Sequence, residues 1–111
     1  MFSIDGTTMH LTQGDTLDVQ ITILQEDGTE YTPVEGDSVR FAVKSSYKAP
    51  EVLLLVDIPI GTLRLRVDSE QTKTLAARAN PYVYDIQLTK VDGTVDTFID
   101  RSLLYITEEV E

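Results

Sequence analysis

The side chains that most often perform acid–base chemistry are few and scattered in this chain. His10 is the single histidine, and it lies between Met9 and Leu11 in an apolar, strand-like stretch. A general base needs a substrate proton within reach and a pKa suited to the task. One histidine among apolar neighbours is more typical of a surface or packed position, so we assign His10 no catalytic role.

Carboxylates are the remaining candidates for proton transfer, and their positions favour a structural role. Asp15 and Asp18 flank the start of one strand-like stretch, and Asp96 and Asp100 lie on another. Catalysis requires a carboxyl group whose pKa is shifted within a cleft. Turn and solvent-face positions do not supply one, so we interpret both pairs as turn caps or solvated surface groups.

The sequence also lacks the motifs of metal, phosphate and nucleophile sites. It contains no cysteine, which excludes thiolate metal sites, cysteine nucleophiles and disulfides. No Gly-x-Ser-x-Gly element is present, and the six glycines are dispersed at turn-like positions. The ligand spacing of a calcium loop is missing, although a calcium site between loops at Asp27 or Asp92 stays open. We predict a protein that is not an enzyme and binds no cofactor.

The charge balance restricts the classes of partner. There are 9 basic and 19 acidic residues, for a formal net charge of −10. Nucleic acids and anionic membranes recruit clustered basic side chains, so we expect neither as a partner. The acidic excess is most simply a solubility feature, and an inhibitor or DNA mimic is the alternative interpretation.

The sequence contains no signal for membrane insertion or secretion. The longest apolar run covers residues 52–56, whereas a membrane helix needs about 20 apolar residues. Residues 1–5 lack the basic and apolar regions of a signal peptide. We expect a soluble protein made in the cytoplasm.

Alternation of apolar and polar residues dominates the chain and predicts β-strands. It is clearest over residues 16–23, 38–43, 62–67 and 82–89. Weaker strand signals cover residues 9–11, 52–57 and 95–106, and a bulge near residues 100–102 would correct the inward parity of the last one. The Asp-Gly pairs at 27–28 and 92–93 predict tight hairpin turns.

About seven strands in 111 residues predict an all-β fold, a single immunoglobulin-like antiparallel β-sandwich over residues 1–111. One short helical turn follows Ser69 as its cap, and an acidic tail begins at about residue 107. Tyr82 after the turn at Leu75 predicts a tyrosine corner. Ile21, Phe41 and Tyr84 are predicted to fill the centre of the core, and a small barrel is the alternative fold.

A series of short motifs in this order resembles a known family. The motifs are Gly14-Asp15-Thr16, Glu26-Asp27-Gly28-Thr29, Val34-Glu35-Gly36-Asp37-Ser38-Val39-Arg40-Phe41-Ala42-Val43-Lys44, Tyr82-Val83-Tyr84-Asp85-Ile86-Gln87-Leu88 and Asp92-Gly93-Thr94. Nearly the whole chain is similar to the immunoglobulin-like N-terminal domain of phage baseplate upper proteins, and to small tail-associated proteins of phages and prophages in Gram-positive gut bacteria. The resemblance implies a virion structural protein made in the bacterial host, without catalytic residues.

The resemblance also implies partners, namely other tail or baseplate proteins and, in several copies around a symmetry axis, the chain itself. Apolar strand edges suit such contacts. The candidate interface residues are Val52, Leu53, Leu54, Leu55 and Val56, with Phe2 and Ile4 near the start of the chain. Two alternatives stay open: these residues complete the core, or the protein is a carbohydrate- or receptor-binding module for host attachment. A binding module would use exposed loop aromatics, of which Tyr31 and Tyr47 are the candidates.

Overall fold

The computed structural model describes residues 2–5, 7–25, 27–46 and 48–108, with the backbone alone for residues 2–5, 98, 100 and 101. It contains eight strands and one helical turn. In chain order these are β1 (Phe2–Asp5), β2 (Thr8–Thr12), β3 (Leu17–Gln20), β4 (Ser38–Lys44), β5 (Val52–Ile58), β6 (Arg64–Val67), α1 (Ser69–Thr72), β7 (Tyr82–Thr89) and β8 (Val95–Thr107).

The strands form two sheets of unequal width. The larger sheet has the order β1-β2-β8-β7-β4-β5, and β3 pairs with β6 in the smaller sheet. The all-β sandwich prediction is therefore confirmed, with eight described strands rather than about seven. One pair departs from the antiparallel expectation, because β2 runs parallel to β8. The β1–β2 hairpin lies on the side of β8 opposite β7. No local feature of residues 1–12 predicts this parallel pairing.

The core follows the alternation of the sequence. On β7, Tyr82, Tyr84, Ile86 and Leu88 are all buried, and the intervening residues are only partly buried. Phe41 of β4 packs on Tyr84, with ring centroids 5.4 Å apart and a tilt of 49°, a favoured aromatic geometry. Both rings and Ile21 lie in the main apolar cluster. The predicted centre of the core is confirmed.

The two Asp-Gly hairpin turns are confirmed and share one hydrogen-bond pattern. Gly28 and Gly93 have φ values of 86° and 91°. In the second turn the Lys90 N–H donates to the Thr94 carbonyl at 2.8 Å. The matching bond of the first turn, from Gln25 to Thr29, is also 2.8 Å long. This is the pattern of a type I turn closed by a left-handed glycine.

The predicted bulge in the last strand is also confirmed. Tyr84 pairs with Ser102, whereas Ile86 pairs with Ile99, so β8 has one extra residue opposite Asp85. The shift lets Ile99 pack against the core while Leu104 and Ile106 are buried, despite their opposite parity.

The connection from β6 to β7 forms the predicted tyrosine corner. The Tyr82 hydroxyl donates to the Ala76 carbonyl at 2.7 Å, and the Arg78 guanidinium lies 3.7 Å from the centre of the Tyr82 ring. The helical turn α1 differs from its prediction, because Asp68 is its N-cap and Ser69 its first residue. The Asp68 N–H donates to the Gln71 side chain at 3.0 Å, and this fixes the start one residue earlier.

The tyrosine corner yields a stability prediction. Tyr82→Phe keeps the buried ring but removes the hydroxyl that bonds to Ala76, so we expect a loss of about 1 kcal/mol in the free energy of unfolding. Urea unfolding at neutral pH measures it. Tyr105→Phe is the matched control, because Tyr105 is partly exposed and should tolerate the change. Equal stability of the Tyr82 variant and the wild type would contradict a supporting role for this bond.

Candidate functional site

The structure does not bring together the groups that the sequence singled out for chemistry. His10 is exposed and stacks on Tyr105, with ring centroids 4.9 Å apart. Asp27 and Asp92 each accept a hydrogen bond within their own turn, from the N–H of Thr29 and of Thr94 respectively. Within the described part of the chain, no group of three or more His, Cys, Asp or Glu residues is arranged to hold a metal ion.

The other carboxylate candidates are equally separate. Asp18 accepts from Arg64 at 2.6 Å and from Arg66 at 3.4 Å on the polar face of the smaller sheet. The backbone carbonyl of Asp15 accepts from the Thr72 hydroxyl at 2.8 Å, which ties the start of β3 to α1. Asp96 is exposed, and the side chain of Asp100 lies outside the described part of the structure.

The strand β5 carries most of the predicted interface and lies at an edge of the larger sheet. Among the described strands it pairs with β4 alone. The β-branched residues Val52, Val56 and Ile58 favour a strand here, and Pro59, which lacks an N–H, follows its last residue. Every second residue of such an edge directs its N–H and C=O away from its single neighbour, so β5 has backbone groups available for a further strand.

The five β5 candidates fall into two groups. Leu54 lies opposite Val43, and Val56 lies opposite Phe41, so these two pack partly buried against the core. Three side chains stay on the surface, with exposed fractions of 45% for Val52, 41% for Leu53 and 55% for Leu55. The pairing shifts between Val43 and Lys44, which leaves Leu53 as an extra residue in a bulge.

Charged side chains of both signs lie beside the exposed side chains of β5. Arg40 of β4 donates to Asp57 at 3.1 Å, and both side chains are well exposed. A pair this exposed contributes little stability. A shallow depression in the outer face of the sheet is lined by Arg40, Ala42, Lys44, Val52, Leu55, Asp85 and Gln87. The apolar edge therefore adjoins a surface that is close to neutral.

The two edges of the smaller sheet are protected by charge, in contrast to β5. The smaller sheet has two edges, β3 and β6. Their outer faces carry Asp18, Arg64 and Arg66 in ion pairs. Charged side chains at an edge discourage pairing with another chain, so β5 is the apolar exception among these three edges.

Phe2 and Ile4 do not join the β5 surface. They lie in β1, opposite Leu11 and Met9 of β2, and their side chains lie outside the described part of the structure. Because β1 and β5 are the two ends of the same six-stranded sheet, the predicted surface divides into two separate edges.

A buried carboxylate, which the sequence analysis did not predict, joins two loops at one end of the sandwich, called the loop end. Asp37 is buried and accepts from the Tyr31 hydroxyl at 2.6 Å. It also accepts from the N–H groups of Val34 at 3.1 Å and Val91 at 3.0 Å. The only local signal was an aspartate at the end of a Val-Glu-Gly-Asp turn, which does not reveal that Val91 is a partner.

These bonds determine the ionisation of both polar partners. The hydrogen bond from Tyr31 is the main cause that holds the pKa of Asp37 below its ordinary value, and the Val34 N–H adds to it. Partial desolvation acts in the opposite direction but is outweighed. The same hydrogen bond to Asp37 raises the pKa of Tyr31. Asp37 is thus an anionic anchor that joins the β3–β4 loop to the β7–β8 hairpin.

The loop aromatics give no platform for a sugar in the described residues. The Tyr31 hydroxyl is engaged by Asp37, and Lys90 lies 5.0 Å from the centre of its ring. Tyr47 lies outside the described residues. Tyr82 and Tyr84 are buried.

Comparison of the chain with family models, curated proteins and solved structures found no match. The described residues include no helix with the length and apolarity needed to cross a membrane. The geometry of the chain itself therefore carries the functional argument.

Asp37 gives a pH-dependent prediction. Its pKa is lower in the folded state than in the unfolded state, where it is about 3.9. Its stabilising contribution is therefore complete above that value and lost as the pH falls through the folded pKa. We expect Asp37→Asn to be less stable than the wild type at pH 7, and its stability to decline less between pH 5 and pH 2.

Thermal unfolding across this pH range measures the effect. Glu35→Gln is the matched control, because it removes an exposed carboxylate from the same loop and should leave the pH profile unchanged. An Asp37→Asn profile parallel to that of the wild type would show that Asp37 does not supply this dependence.

Proposed function

We propose that this chain is a non-enzymatic structural protein that joins a larger protein assembly through the edge of β5. The sequence resemblance to phage baseplate and tail-associated proteins makes a phage or prophage tail the proposed assembly. The proposed partners are other tail or baseplate proteins, and the proposed location is the virion, after synthesis in the bacterial host.

The single observation that carries this proposal is the unprotected apolar edge. Val52, Leu53 and Leu55 are exposed on a strand with one described neighbour. Burying one such side chain fully contributes roughly 1.5–3 kcal/mol, and added strand pairing satisfies the outward backbone groups. Natural proteins usually protect an edge of this kind, because it otherwise pairs indiscriminately. An edge left apolar beside two charged ones suits a role in assembly.

The proposal predicts that the chain is present in purified particles. We would induce the prophage of the source bacterium, purify particles on a density gradient and quantify the chain by mass spectrometry. We expect a fixed ratio to the tail proteins. If particles form while the chain stays in the soluble fraction, the structural role is wrong, and glycan arrays and pull-downs would then test a free-standing binding module.

The role of β5 is tested by replacing the wild-type gene with variants. Leu55→Asp should reduce incorporation into particles at least about tenfold, because a carboxylate at this edge opposes burial. Val95→Asp is the matched control, since Val95 is exposed to 58% on β8, away from β5, and should be incorporated normally. Leu54 is unsuitable, because it packs on the core and a charge there would test folding. Normal incorporation of the Leu55 variant would exclude β5 as the contact.

A further inference from the structure

We infer that the partner of β5 is a second copy of this chain, with the two β5 strands antiparallel about a two-fold axis at Leu55. The larger sheets of the two copies would then form one continuous sheet. The inference rests on the proposed function, since it names the partner of the same edge.

The order of residues in β5 fits this symmetry. Leu55 is the midpoint of Val52–Ile58, so an axis there pairs the whole strand. Leu55 then faces Leu55 of the second copy, and Leu54 faces Val56. Directly opposed side chains interact on the same face of a sheet, so these pairs place apolar groups together. The bulge at Leu53 lies outside this central segment.

A different axis is less favourable. An axis at Leu54 would place Asp57 opposite Glu51 of the second copy, and like charges directly opposite each other destabilise a strand pair. An axis at Val56 would leave Val52 and Leu53 beyond the paired segment. The axis at Leu55 avoids both costs.

The charges around β5 are complementary in this arrangement. Lys44 lies opposite Val52 on β4, and among the described residues it has no carboxylate partner. With the axis at Leu55, Asp57 of the second copy lies opposite Leu53, close to the level of Lys44 and two strand spacings away. Two spacings amount to about 9.6 Å, which extended lysine and aspartate side chains can cover. The two-fold axis creates this contact twice.

The net charge of −10 also restricts where two copies can meet. Two copies repel each other, and at physiological salt that repulsion is screened beyond about 8 Å. Close approach therefore requires a surface that is locally neutral. The surface beside β5 meets this condition, because Arg40 and Lys44 lie there with Asp57 and Asp85.

Cysteine cross-linking tests the register directly. The chain has no cysteine, so Leu55→Cys supplies a single thiol. Directly opposed residues have Cα atoms about 4.5–5.5 Å apart, within the range of about 4.4–6.8 Å that a disulfide requires. We expect a covalent dimer of Leu55→Cys to form under mild oxidation. Leu53→Cys, the matched control on the same edge, should not cross-link to itself, because its two copies would lie about 13 Å apart.

A mixed experiment fixes the same axis independently. Leu53→Cys and Asp57→Cys should each form no disulfide-linked dimer alone but form a mixed disulfide when combined, because those positions face each other. Faster oxidation of Leu53→Cys than of Leu55→Cys would overturn the proposed register.

The mass of the wild-type chain in solution tests association without a cross-link. Sedimentation equilibrium should give a mass that doubles with rising concentration, and Leu55→Asp should weaken the dimer at least about tenfold. Val95→Asp should associate like the wild type, and circular dichroism confirms that both variants fold. A monomer at every concentration, with no preferential cross-linking at Leu55, would overturn the inference. If Leu55→Asp were still lost from particles in that case, β5 would serve a different protein and the proposed function would stand.

Discussion

Two sheets of unequal width share one core, and this difference in width determines which strands are buried and which are exposed. The inner faces of β4 and β7 are fully buried, with Phe41 against Tyr84 at their centre. Neighbouring strands are about 4.8 Å apart, so a two-stranded sheet is too narrow to cover the whole inner face of a six-stranded sheet. Burial therefore declines towards the β5 edge, where Ile58 is buried but Leu54 and Val56 are only half-covered. Both faces of β5 thus keep apolar character, one for the core and one for the surface.

The loop end at Asp37 and the β5 edge differ in whether their backbone polar groups have hydrogen-bond partners. At the loop end, Asp37 satisfies N–H groups from two separate segments and holds the β3–β4 loop against the β7–β8 hairpin. A side chain at Gly36 would lie 2.7 Å from Val91, so the close contact of these segments depends on glycine. At β5 no comparable bond covers the outward backbone groups in the described residues. The loop end is closed by its own polar contacts, whereas the β5 edge is the one that we propose pairs with another strand.

Local rules predicted the parts of this fold that depend on local sequence. Alternation of apolar and polar residues predicted the strands, and the Asp-Gly pairs predicted the hairpin turns. The position of Tyr82 after the turn at Leu75 predicted the tyrosine corner. The parallel pairing of β2 with β8 and the anchor at Asp37 were not predictable, because both join segments far apart in the chain. Alternation continued to Ile23, yet β3 ends at Gln20. The Ile21 N–H still bonds in register to the Leu63 carbonyl, but Leu63 has a φ of 51°, which lies outside strand geometry. For β5 the sequence identified an apolar edge, but only the register with β4 separates Leu54 and Val56 from the exposed residues.

The charge of the chain and the apolarity of β5 work together. A net charge of −10 repels other copies over a distance set by screening, about 8 Å at physiological salt. Strand pairing acts at a shorter distance, about 4.8 Å between backbones. The repulsion therefore acts before interstrand hydrogen bonds can form. The β5 edge is an exception, because Arg40 offsets Asp57 beside it. In the dimer that we propose, the acidic surface limits unspecific contact, and the charges beside β5 favour one orientation of that edge.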